Sequence, residues 1–122
     1  MKLLRYETLP KGHDYYESEA FSEWYVERLE SSGADLVAYW YGAGSYEGTG
    51  HILARKNGQW YHHNCGHCSC YGPVEDGIFN GDGDASLEAL LARCSEELRG
   101  YLEPLATLIS TNGRADVPEG DR

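Results

Sequence analysis

The chain has 122 residues, 41% of them hydrophobic and 12% aromatic, which suits one domain over 1–122 with a single core and a polar tail at about 113–122. Its formal net charge of −10 repels phosphates, so it argues against direct nucleic-acid binding and favours a protein partner with a basic surface. No run approaches the roughly 18 apolar residues of a membrane span, and Met1-Lys2-Leu3-Leu4 runs into Arg5 and Glu7 rather than a signal core, so the expectation is a cytoplasmic protein that does not touch membranes.

The acids are laid out unevenly. Residues 1–35 carry eight acids against four bases and 75–103 carry eight against two, while 36–74 hold only Glu47, Arg55 and Lys56. From Ser18 onward Ala20, Phe21, Trp24, Tyr25 and Leu29 recur at three- and four-residue spacings, with Glu19, Glu23, Glu27 and Glu30 between them. This pattern predicts an amphipathic helix, capped by Ser18 and stopped by Gly33.

The character then changes. Leu36-Val37-Ala38-Tyr39-Trp40-Tyr41 is β-branched and aromatic and is closed by Gly42-Ala43-Gly44-Ser45, which predicts a strand and a turn. A second strand covers about 46–55, and Asn57-Gly58 stands where a two-residue type I′ hairpin needs positive φ, with 59–63 returning. That turn dictates a register pairing Lys56 with Gln59, Arg55 with Trp60, Leu53 with His62 and His51 with Asn64. Because strand side chains alternate faces, His51 and His62 become diagonal neighbours on one face while His63 points to the other.

After the hairpin, Tyr71-Gly72-Pro73 interrupts regular structure and 75–84 reads as a Gly- and Asp-rich loop. Leu87, Leu90, Leu91, Cys94 and Leu98 form the stripe of a second helix, capped by Asp84 or Ser86 and ended by Gly100. A third helix is expected over about 102–110, with Pro104 in its first turn and Asn112-Gly113 as its stop. The predicted fold is α+β: a three-stranded antiparallel meander, with an N-terminal helix and two C-terminal helices packed on one face.

The densest chemistry lies at His62-His63-Asn64-Cys65-Gly66-His67-Cys68-Ser69-Cys70, which holds three of the four cysteines. Disulfides among such close neighbours are geometrically poor, so reduced thiols or metal ligands are expected. Cys65-Gly66-His67-Cys68 resembles the active-site tetrapeptide of disulfide isomerases, where the thiol opens a long helix. Here Gly72-Pro73 follows and argues against that helix. Zinc fits the donors better: Cys65, Cys68, Cys70, His67, His63 and His51 are the candidate ligands, with Cys94 assigned instead to packing. The competing reading is a metal-free turn with buried thiols. Asn80-x-Asp82-x-Asp84 lacks the Gly and Glu that a calcium loop requires.

The hairpin segment is also rich in rings, and Tyr46, Trp60, Tyr61 and Tyr71 are the candidate partner-binding residues, against the alternative that they complete the core. Tyr46-Glu47-Gly48-Thr49-Gly50, Trp60-Tyr61-His62 and Gly66-His67-Cys68-Ser69-Cys70-Tyr71-Gly72-Pro73 together resemble small uncharacterised proteins of bacteriophage and actinobacterial genomes, over about 39–76. The resemblance implies no activity, cofactor or catalytic residue. It implies an accessory protein, phage-encoded, that binds a host or defence component. The functional expectation is therefore a small acidic protein-binding protein. The alternative is a zinc- or thiol-dependent enzyme centred on the 62–70 loop.

Overall fold

The computed structural model describes residues 1–6, 20–43, 48–64, 78–79 and 81–115. The architecture is α+β, with a four-stranded mixed sheet and three helices among the described residues. Strands β1 (Lys2–Arg5), β2 (Leu36–Ala43), β3 (Gly48–Lys56) and β4 (Gln59–Asn64) lie side by side in chain order. The helices are α1 (Glu23–Ser31), α2 (Leu87–Ala92) and α3 (Glu96–Ala115).

The hairpin forms in the predicted register. Asn57 and Gly58 take φ of 54° and 78°, the positive values of a type I′ turn. Lys56 then pairs with Gln59, Arg55 with Trp60, Leu53 with His62 and His51 with Asn64. The meander continues through β2, where Trp40 pairs with His51.

Two parts of the fold expectation are corrected. The sheet has a fourth strand, β1, parallel to β2 and paired Lys2 to Leu36 through Arg5 to Tyr39. Four residues reading Lys-Leu-Leu-Arg show no strand alternation, and β1 pairs only because the chain returns through α1 to lie beside it. The helices, moreover, do not share one face. Val37, Tyr39, Tyr41, Ile52 and Ala54 pack with Phe21, Leu29 and Phe79 on the α1 side. Leu36, Ala38, Trp40 and Leu53 pack with Leu90, Cys94, Leu102, Leu105 and Ile109 on the α2 and α3 side. A strand apolar on both faces, as β2 is, requires cover on both.

Helix boundaries also move. Residues 20–22 are not helical, and Ser18 lies outside the described residues. Phe21 therefore precedes α1 and lies flat on Tyr39, with ring centroids 4.0 Å apart at 8°, while its backbone N–H donates to the Tyr39 hydroxyl at 3.0 Å. Gly33, at φ 94°, ends α1 as expected. At α2 the cap is Ser86, whose Oγ accepts from the Ala89 N–H at 3.1 Å.

Neither Gly100 nor Pro104 bounds a helix. The break falls instead at Ser95, whose Oγ accepts from the Leu98 N–H at 3.1 Å, with Glu96 and Glu97 following in the favourable first turn. Pro104 stands inside α3 and cannot donate to the carbonyl four residues back, which is that of Gly100. Gly100 itself is exposed. The helix also runs on to Ala115, past the Asn112-Gly113 pair expected to end it.

Candidate functional site

Because β3 and β4 are antiparallel in the register above, His51 and His62 come to the sheet face covered by α3. His51 Nδ1 lies 2.9 Å from His62 Nε2, a hydrogen bond in which one ring donates and the other accepts. The two rings also stack, 5.2 Å apart at 21°. The ring of Tyr101 on α3 stacks on His51 at 5.3 Å and 15°. Trp40 Nε1–H donates to the Tyr101 carbonyl at 2.9 Å, tying the sheet to the helix at this level.

His51 is buried, 5% exposed. Burial, and after it the positive charge of His63 and Arg93, pushes His62 down to about 4, so at neutral pH its ring carries no charge. The facing nitrogens of the couple are thus engaged with each other. Cys94 packs in this layer as expected, 8% exposed with its thiol 3.2 Å from the Leu90 carbonyl.

The candidate metal ligands are divided by the same alternation. His51 faces α3, whereas His63 lies on the α1 side, its ring 6.4 Å from Phe79. Cys65, His67, Cys68 and Cys70 lie outside the described residues. Among the described residues no three His, Cys, Asp or Glu side chains come together as a metal would need.

The candidate partner-binding aromatics divide too. Tyr46 and Tyr71 lie outside the described residues. Trp60 is half-buried against the α2 and α3 layer. Its backbone exchanges hydrogen bonds of 2.8 and 2.9 Å with Asp84, which shields this end of the β4 edge. That approach needs glycine at position 83, where a Cβ would stand 2.8 Å from the Trp60 carbonyl oxygen. Asp84 is in turn held by Arg93, with Nη2 to Oδ2 at 2.8 Å. Tyr61 packs against the α1-side core, and its hydroxyl donates to the Gly81 carbonyl at 2.9 Å. The Trp60 backbone and the Tyr61 side chain thus hold Phe79, Gly81 and Asp84 to the hairpin.

The exposed aromatic is one that the sequence pattern assigned to the apolar stripe. Trp24 is 59% exposed, and with Met1 it makes up the exposed large hydrophobic residues among those described. At about 100° per residue on a helix, Leu29, Tyr25 and Val26 turn to the sheet while Glu23, Trp24 and Glu27 turn away. The Phe21–Trp24–Tyr25 spacing suggested otherwise because Phe21 was counted as helical. The acids flanking Trp24 were the signal that it sits outside. The Arg28 guanidinium lies over its ring, 4.8 Å from the centroid.

No helix among the described residues is long and apolar enough to cross a membrane. No family model matches the chain, and no curated protein or solved structure matches it either.

Proposed function

We propose that this protein is a small acidic accessory protein that acts by binding another protein, and that the outer face of α1 takes part in the contact. The observation that carries this reading is Trp24, left 59% exposed on the outward side of α1. A tryptophan buries roughly 150–250 Å² when covered. At about 25 cal/mol per Å², covering the exposed share supplies about 2–4 kcal/mol, which is the scale of an interface anchor. The acidic balance of 20 carboxylates against 10 bases supports a protein rather than a phosphate-bearing partner. The resemblance of 39–76 to small phage and actinobacterial proteins supports an accessory role directed at a host or defence component.

The test is capture from a host lysate on the immobilised full chain, compared with Trp24→Ala and Trp60→Ala chains of unchanged circular dichroism. The expected result is a captured protein lost with Trp24→Ala. Loss with Trp60→Ala alone would move the contact to the hairpin, and capture of nothing specific would remove the binding reading.

A further inference from the structure

The outer face of α1 has a charge pattern that says what would cover it. Glu23, Glu27 and Glu30 recur at four and three residues, so they form one row on the exposed side, and all three are exposed. Trp24 stands beside that row, about 60° around the helix from Glu27. The indole already serves as a cation platform, since the Arg28 guanidinium sits 4.8 Å from its centroid. Even with Arg28 over its ring, Trp24 remains 59% exposed. An aromatic face beside a line of carboxylates is complementary to a guanidinium, which stacks on the ring and pairs with carboxylates in one geometry. A lysine satisfies the charge but is more strongly hydrated and lacks the planar stacking surface. Nucleic acids and anionic lipid surfaces are repelled by the same row.

We propose that the α1 face is a docking surface for an arginine-rich segment of a protein partner, with one guanidinium stacked on the indole of Trp24 and others paired to Glu23, Glu27 and Glu30. This rests on the protein-binding reading above and adds the chemistry of the partner.

The probe is a fluorescent synthetic helical peptide with arginine along one face and leucine along the other, titrated into the full chain. A control peptide carries glutamate in place of each arginine. The arginine peptide is expected to bind and the glutamate peptide to show no saturable binding. Affinity should fall about tenfold for Trp24→Ala and about tenfold for the Glu23→Gln, Glu27→Gln, Glu30→Gln chain, and it should weaken steeply with salt. All the altered positions are exposed, and unchanged circular dichroism and thermal midpoint establish that each variant is folded. Binding of the arginine peptide that is indifferent to both sets of changes would overturn the proposal, as would its failure to bind. If the peptide fails while lysate capture still depends on Trp24, the basic-partner inference falls and the binding reading stands. If capture is also independent of Trp24, both fall.

Discussion

The two faces of the sheet treat a tryptophan in opposite ways. On the α2 and α3 side, Trp40 is 0% exposed and its Nε1–H is satisfied by the Tyr101 carbonyl. On the α1 side, the helix turns Trp24 outward, 59% exposed. The difference lies in the covering layer. The helix α3 is 20 residues long and presents Leu102, Leu105 and Ile109 in succession, enough to enclose rings and even a buried histidine. The helix α1 has nine residues and one fully buried side chain, Leu29, so the rest of that face is closed by Phe21, Ile78 and Phe79 from outside helices and strands. A long helix can absorb polar and aromatic groups into a core, whereas a short one spends its buried face on a few contacts and leaves the other for solvent or a partner.

The largest expected effect that would break this comparison is at Trp40. Trp40→Ala removes a fully enclosed ring and its hydrogen bond to α3, and should cost about 3–5 kcal/mol in denaturant unfolding. A cost below about 1 kcal/mol would mean that the α3 layer is not closed over the sheet.

Next comes the histidine couple. His51→Ala should cost about 2–3 kcal/mol, because it opens a cavity under Tyr101 and leaves His62 Nε2 without its partner. A double-mutant cycle with His62→Ala should return a coupling of about 0.5–1.5 kcal/mol. Additive losses would show that the hydrogen bond at 2.9 Å contributes nothing to folding.

Acid should act through the same couple. In the fold His62 protonates at about 4 against 6.5 for an unperturbed ring. As pH falls through that interval the unfolded chain takes up a proton that the folded one refuses, so stability drops between pH 6.5 and about 4. Below about 4 and above 6.5 the residue adds no further slope. With allowance for solvent reaching a half-buried ring, the drop is about 1–2 kcal/mol. The difference between the unfolding free energies of the parent chain and His62→Gln, followed from pH 7 to pH 4, measures it. A pH-independent difference would place the ring in solvent rather than half-buried beside His51.

The smallest effect belongs to Trp24. Trp24→Ala should cost about 1 kcal/mol or less in unfolding free energy, since most of the residue, 59%, is already in solvent and its described ring contact is the exposed-helix one with Arg28. A larger loss would mean that α1 uses the indole for its own packing, and the contrast between the faces would disappear.

Local features were legible in the sequence wherever one short segment dictated the geometry. Asn57-Gly58 demanded a type I′ turn, and from it followed the hairpin register and the placement of His51 with His62 and of His63 opposite. The Gly33 stop, the Ser86 cap and the packing of Cys94 rested likewise on residues within a turn or a stripe. What misled were residues whose local meaning depends on context. Gly100 and Pro104 punctuate a helix in isolation, but Leu102, Leu105 and Ile109 hold α3 to the sheet and carry it through both.

By itself, then, the sequence determined the acidic charge, the hairpin with its register, and which histidines share a face, because backbone φ preference and strand alternation act over a few residues. Tertiary structure alone decided that Lys2–Arg5 pairs parallel to β2, that both sheet faces are covered, and that His51 is buried against Tyr101. It also decided that Trp24 faces outward. These outcomes depend on which distant surfaces meet, and burial is set by the whole fold rather than by the spacing of residues along one segment.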